Sequence, residues 1–142
     1  MPFDSATFKL PAVKPATFDP VLREGLAGLA QLSEALRHPE WWEARGHEWY
    51  FPRILENRSC GTTGCAWGVA MTLWPKQVHR ADMYFAVGPA AAGHFGIPES
   101  EGWRIFGTDY VRSVYGVTEY EVTPAMVADA IDALLAAKGW KG

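Results

Sequence analysis

Both cysteines of this chain lie in the segment Cys60-Gly61-Thr62-Thr63-Gly64-Cys65, directly before an uncharged apolar run. If Cys65 occupies the first turn of a helix, the unpaired N–H groups and the helix dipole would favour its thiolate, which is how reactive cysteines are often activated. The base would then be His79 or His94. The segment is therefore compatible with a cysteine-dependent hydrolase or transferase that uses Cys65 or Cys60.

A disulfide is a second interpretation of the two thiols. Residues five apart in a regular helix are separated by roughly 8.6 Å at Cα, which exceeds the limit of about 7 Å for a disulfide. A bond between Cys60 and Cys65 would therefore require a loop, which Gly61 and Gly64 permit. Without an export signal we expect both thiols to be reduced.

Zinc binding and a purely structural turn are the remaining interpretations. A tetrahedral zinc site would have to combine the thiols with His79 and His94, whose spacing matches no established ligand pattern. In the structural interpretation, Thr62 or Thr63 caps the helix and the thiols fill small spaces in the core. We favour the structural turn, and we predict neither a metal nor a cofactor.

The uncharged run predicts the central element of the fold. No residue between Arg58 and Lys76 is charged, and apolar residues recur on every side of the segment. This pattern is typical of a helix that is buried all round. We expect the helix to begin near Thr63 or Gly64 and to end before Pro75, which cannot donate a helical hydrogen bond.

Start and stop residues predict the other elements. The first predicted helix runs from Asp19-Pro20 to Leu36 with a stop at Pro39. Two more run from Pro89 to Phe95 with a stop at Gly96, and from Pro98 to Phe106 with a stop at Gly107. A short helical turn is predicted from Thr108 to Gly116, and the last helix runs from Thr123-Pro124 to Leu135 with a stop at Lys138-Gly139. Short strands are predicted at Met83–Val87 and Val117–Val122.

These elements predict a mainly α protein, with α+β as the alternative. We expect residues 1–142 to form one compact domain of four or five helices around the buried central helix, with one short strand pair at most. Prolines prevent a helix in residues 1–18, which we interpret as an extended arm docked on the helical body of residues 19–142.

Charge and hydropathy limit the partners. The net charge is −3, from 13 Lys and Arg against 16 Asp and Glu, and the chain has no basic run. Because phosphate neutralisation dominates nucleic-acid binding, this balance argues against a nucleic-acid partner. The apolar run is too short to span a membrane, and the N-terminus does not resemble a signal peptide. We therefore expect a soluble cytoplasmic protein with no membrane partner.

An aromatic cluster suggests a function without catalysis. Trp41, Trp42, Trp49 and Tyr50 surround the turn-like Gly46. Trp and Tyr supply large contact areas and dominate binding hot spots, although the same rings could pack the first helix against the body. We predict a non-enzymatic accessory or partner-binding protein that contacts a protein partner through these four residues; partner identity and oligomeric state stay open.

The cysteine segment also resembles a group of small uncharacterised bacterial and phage proteins with a Cys-Gly-Thr-x-x-Cys-x-x-Gly-x-Ala segment. The matching residues are Cys60, Gly61, Thr62, Cys65, Gly68 and Ala70. The group's turn and acidic helix are similar to Phe95-Gly96-Ile97 with Glu99 to Phe106, and its closing Thr-Pro helix is similar to Thr123 through Leu135. The resemblance spans roughly residues 55–138 and implies no activity.

Overall fold

The computed structural model describes residues 18–49, 56–58, 61–78, 87–107 and 110–141. These ranges contain the helices α1 (Leu26–Leu36), α2 (Pro39–Glu43), α3 (Ala66–Leu73), α4 (Val87–Phe95), α5 (Glu99–Phe106), α6 (Tyr110–Tyr115) and α7 (Pro124–Ala137), the strands β1 (His47–Trp49), β2 (Glu56–Arg58) and β3 (Gly61–Gly64), and a 3-10 helix, Glu119–Glu121. The protein is therefore mainly α, as predicted, but the expected number of four or five helices is wrong, since the described ranges alone contain seven.

Helix α3 is the buried centre that the uncharged run predicts. Its buried residues are Ala66, Trp67, Gly68, Val69, Ala70 and Leu73, and it contacts α1, α2, β1 and β3. The helix ends before Pro75 as expected. The predicted start near Thr63 or Gly64, and with it a threonine cap, is wrong: these residues belong to β3, and Cys65 is the N-cap of α3.

A three-stranded sheet precedes α3, where the sequence indicates one strand pair at most. The strand order is β1-β3-β2, with β1 parallel and β2 antiparallel to β3. Thr62 lies opposite His47 on one side and Asn57 on the other. Thr62 and Thr63 pair with strands on both sides. Because their backbone is extended in this sheet, α3 begins only after Gly64.

Neither strand predicted from the sequence is present among the residues described here. Residues 81–86 lie outside the described ranges, and Val87 begins α4. The second prediction, Val117–Val122, is wrong because this segment contains the 3-10 helix. Thr118 and Glu121 form a capping box in which the Thr118 N–H donates to Glu121 Oε1 at 2.8 Å, and this local bonding favours a turn over an extended strand.

Helix α1 begins later than predicted, at Leu26 instead of directly after Pro20. The Gln31 side chain holds the preceding segment in a non-helical form: it accepts from the Arg23 N–H and donates to the Val21 carbonyl, both at 2.8 Å. Gly25, with φ of 75°, then turns the chain into the helix and donates its N–H to the His94 carbonyl at 3.0 Å.

The C-terminal ends of α4 and α6 agree with the sequence signals, whereas α4 begins at Val87 and not at Pro89, and Pro39, predicted only as a stop, begins α2. Gly96 and Gly116 both have φ of 66° directly after α4 and α6, a conformation that favours glycine. Thr123 caps α7 by accepting from the Met126 N–H at 3.2 Å. The predicted arm lies outside the described residues except for Phe18, whose ring centre is 5.8 Å from that of Trp74. No helix in the described ranges is long and apolar enough to cross a membrane.

Candidate functional site

Cys65 lies inside the core at the N-terminus of α3. It is a free cysteine with only 1% of its surface exposed. Burial raises the pKa of the Cys65 thiol, and the nearby N–H groups of Gly68 and Trp67 oppose this rise without reversing it. The thiolate is therefore disfavoured, which is typical of a cysteine that fills core space. Cys60, the other candidate nucleophile, lies outside the described residues.

The two candidate bases are placed differently. His79 lies outside the described ranges. His94 is on α4 with its ring edge-on to Phe95 at 4.8 Å, and its Nε2 is buried without a hydrogen-bond partner in the described part of the chain, so it makes no bond to Cys65. Among the described residues, no group of three His, Cys, Asp or Glu side chains could hold a metal ion.

A third histidine, His47 on β1, escaped the sequence prediction. It is buried, and its Nδ1 is 3.3 Å from Thr72 Oγ1 on α3. Its ring is edge-on to Trp42 at 5.6 Å. The sequence offers no signal for this position, because the residue type and neighbours of a single histidine give no indication of burial.

The predicted tryptophan surface is largely internal. Trp42 is 1% exposed and donates its Nε1–H to the Ala35 carbonyl at 3.0 Å. Trp49 is half-buried and donates to the Val122 carbonyl at 2.7 Å. Trp41, also half-buried, stacks on His38 at 4.5 Å. Trp42 therefore belongs to the core and not to a binding surface, and Tyr50 lies outside the described residues.

An apolar groove lies elsewhere, between α5, α6 and α7. It has a volume of about 350 Å³. Ala130, Ala133 and Ala137 of α7 form one side, and Tyr110, Val111, Val114 and Tyr115 of α6 form the other. Because alanine side chains are small, a segment that binds in the groove can approach the backbone of α7 closely.

The groove is lined by several of the large hydrophobic side chains that are exposed in the described ranges. Of the five large hydrophobic side chains that are exposed in the described ranges, four lie between residues 110 and 120. Three of them, Tyr110, Val114 and Tyr115, line the groove, and Val114 is 60% exposed. Single exposed apolar residues are ordinary, whereas a contiguous group indicates an interaction site.

The charged groups at the groove are of two kinds. Asp129 accepts from Arg37 at 2.7 Å and from Tyr115 at 3.1 Å, and these bonds, that from Arg37 first, hold the pKa of its carboxyl below the ordinary value. Arg104 lies over the Tyr110 ring at 5.4 Å and has no carboxylate partner in the part of the chain that the structure describes. Within the described residues, the groove thus offers one carboxylate that is already hydrogen-bonded, Asp129, and one cation without a carboxylate partner, Arg104.

Sequence reasoning missed this groove although two signals for it are present. Tyr110, Val111, Val114 and Tyr115 place four apolar residues in a helix of six, more than one face can bury. Helix α7 carries a second apolar stripe, Ala130, Ala133, Leu134 and Ala137, beside the buried face formed by Val127, Ile131 and Leu135. A helix with two apolar stripes contacts two neighbours or leaves one stripe exposed.

Comparison of the chain with protein-family profiles, with curated protein sequences and with solved structures finds no match in any of the three sets.

Proposed function

We propose that this protein is a non-enzymatic partner-binding protein and that its binding surface is the groove between α5, α6 and α7. The observation that carries the proposal is the concentration of exposed Tyr110, Val114 and Tyr115 along one groove. The proposal keeps the class predicted from the sequence and moves the surface away from the tryptophan cluster, where the indole N–H groups of Trp42 and Trp49 are already bonded internally.

The groove suits an amphipathic helix of a protein partner. Ala130 and Ala137 lie seven positions apart on α7, which corresponds to about 10 Å at the rise of an α-helix. That length matches two turns of a docked helix with apolar anchors three or four residues apart. An extended strand would instead need an open sheet edge, which neither α6 nor α7 provides.

Charge favours an acidic residue on the partner helix. Arg104 lies at the groove over the Tyr110 ring and has no carboxylate partner among the described residues, while Asp129 is already engaged by Arg37 and Tyr115. A partner carboxylate near Arg104 would form a charge-assisted hydrogen bond, whereas a partner cation would meet no free anion at Asp129. The proposed partner segment is therefore apolar on one face with a carboxylate beside it.

Selection from a displayed library of helical peptides tests this proposal. Binders selected on the purified protein are then measured on the Val114→Asp variant, which places a charge at the centre of the groove. We expect affinity to fall about thirtyfold, the equivalent of about 2 kcal/mol for a binding hot spot. Ser100→Asp, at an exposed position of α5 away from the groove, is the matched control and should leave affinity unchanged.

Charge preference provides a second readout. Peptides selected on the protein should carry an Asp or Glu flanking the apolar anchors, and this preference should disappear when selection is repeated on Arg104→Gln. Binders that tolerate Val114→Asp, or that show no acidic preference on the original protein, would remove the support for the groove as the binding surface.

A further inference from the structure

A hydrogen-bond network connects helix α1 to the groove between α5, α6 and α7. Arg37 of α1 donates through the same nitrogen, Nη2, to Asp129 Oδ1 and Asp132 Oδ2 of α7, at 2.7 Å in each case. Tyr115 of α6 donates to Asp129 Oδ2 at 3.1 Å. Tyr115 and Asp129 line the groove, whereas Arg37 and Asp132 do not. Arg37 therefore acts on the groove from outside, through a carboxylate that belongs to its lining.

The network is anchored in the core at Ser33. This residue is 4% exposed and donates its hydroxyl to Asp132 Oδ1 at 2.6 Å. Arg37 lies four positions further along α1, about one helical turn away, and reaches the other oxygen of the same carboxylate. Because Ser33 holds Asp132 and Asp132 accepts from Arg37, the guanidinium is held beside Asp129.

Arg37 determines the charge that Asp129 presents to the groove. The bonds from Arg37 and Tyr115 lower the pKa of the Asp129 carboxyl, and the bonds to Asp129 and Asp132 raise the pKa of Arg37, so Arg37 and Asp129 are both charged at neutral pH. One guanidinium is then shared by two carboxylates. Without Arg37, Asp129 would keep its negative charge and lose this cation, and it would attract a cation of the partner instead.

We propose that Arg37 is a specificity-determining residue of the groove: by engaging Asp129 it disfavours a partner helix with Lys or Arg beside the apolar anchors and so favours one with an acidic residue. The inference rests on the proposed function and deepens it, because it assigns the charge preference in part to a residue outside the groove. Specificity often depends in this way on a device that disfavours the wrong partner.

Matched peptides test this role. A helical peptide selected on the purified protein is synthesised with Gln or Lys in turn at each position beside the apolar anchors. The affinities of each pair are measured for the original protein and for Arg37→Met. At one or more positions we expect the affinity ratio of the Lys to the Gln version to rise about three- to fivefold in Arg37→Met, the scale of a partly exposed ion pair. A merely structural role of Arg37 would weaken both versions alike and leave the ratio unchanged.

Second substitutions in the Arg37→Met background identify the carboxylate through which the change acts. Asp129→Asn removes the carboxylate that lines the groove and should cancel the gain of the Lys version. Asp132→Asn removes the same charge from outside the groove and should preserve most of the gain. In the original background, Lys76→Met removes one positive charge from an exposed position near the end of α3 and should leave the ratio unchanged.

The outcomes separate this inference from the proposed function. Peptides that lose affinity on Val114→Asp bind in the groove. If such peptides show the same ratio on Arg37→Met as on the original protein, the inference is overturned while the groove remains the binding surface. An equal gain in Lys76→Met, or a gain that survives Asp129→Asn, would also overturn it. If no selected peptide is sensitive to Val114→Asp, the proposed function and the inference are both wrong.

Discussion

The tryptophan cluster around α2 and the groove between α5, α6 and α7 are both rich in aromatic residues, yet they face opposite environments. In the cluster, Trp42 and Trp49 turn their polar ends inward and donate to the carbonyls of Ala35 and Val122. At the groove, Tyr115 directs its hydroxyl to the exposed Asp129, and Val114 is 60% exposed.

The difference teaches that aromatic content alone does not locate a binding surface. An indole that finds a backbone acceptor inside the fold directs its polar end inward, whatever its neighbours in the sequence. A tyrosine whose hydroxyl finds its partner at the surface leaves one face of its ring available. The position of the hydrogen-bond partner distinguishes the two cases, and that position is a property of the tertiary structure.

The largest expected effect is the difference in unfolding free energy lost when a residue of each region is replaced by alanine. Trp42→Ala removes a fully buried ring together with its hydrogen bond to the Ala35 carbonyl, so we expect a loss of about 3–5 kcal/mol in the free energy of unfolding. Tyr110→Ala, at a residue that is 44% exposed, should cost less than about 1 kcal/mol. Urea unfolding of both variants measures the difference, and equal losses would contradict the assignment of the two regions.

Two glycines extend the comparison to the backbone. A Cβ at Gly28 of α1 would overlap the Arg23 carbonyl oxygen, whereas one at Gly93 of α4 meets nothing within 4 Å. We therefore expect Gly28→Ala to destabilise by about 1–3 kcal/mol and Gly93→Ala to stabilise by about 0.5–1 kcal/mol through helix propensity. Thermal unfolding of the pair checks this, and the same sign of change for both would be inconsistent with it.

A smaller effect concerns the ion pairs beside the groove. Arg37 donates to Asp129 and Asp132, at 2.7 Å in each case, and lowers the pKa of the Asp129 carboxyl. Because that pKa is lower in the folded than in the unfolded state, its contribution to stability is present above the unfolded value of about 3.9 and is lost as the pH falls through the folded value. All these groups are largely exposed, so we expect Arg37→Met to cost at most about 1 kcal/mol at neutral pH.

The pH dependence checks this prediction. Acid should destabilise the original protein more than Arg37→Met between neutral pH and the range below about pH 4. Lys76→Met removes the same charge from an exposed position near the end of α3 and should keep the full pH dependence. Parallel curves for all three proteins would show that the Arg37 pair does not contribute.

The smallest expected effect on stability is that of Val114→Asp. Because Val114 is 60% exposed, we expect the free energy of unfolding to change by no more than about 0.5 kcal/mol, although the same substitution should weaken partner binding strongly. Urea unfolding measures this change. A large loss of stability would mean that Val114 belongs to the core and would weaken any conclusion drawn from its effect on binding.

The sequence was sufficient for the parts of the fold that depend on local signals. The absence of charge between Arg58 and Lys76 identified the buried helix α3, and Thr123-Pro124 identified the start of α7. The sheet could not be predicted in the same way, because β1 and β3 pair across a long stretch of chain and Gly61–Gly64 has little strand character by itself. The late start of α1 depends on a bond between Gly25 and His94, far apart in the sequence.

The candidate sites were predictable only in part. Its residue type makes His94 a candidate base, and the structure gives it a different setting, a cavity that it lines together with Trp67. The burial of Trp42 could not be read from the sequence, since the acceptor at Ala35 becomes available only when α2 folds back on α1. The second apolar stripe of α7 indicates that a groove or a second contact exists there. The sequence does not indicate which helix lies opposite.

The most direct test of the central claim compares photo-cross-linking from the two aromatic regions in cells. A photoreactive amino acid is placed at Val114 in one variant and at the half-buried Trp41 in the other. The account predicts a specific adduct with another protein from position 114, weaker when Arg104→Gln is added, and none from position 41. An adduct from position 41 alone, or adducts from position 114 only with a second copy of this chain, would contradict it.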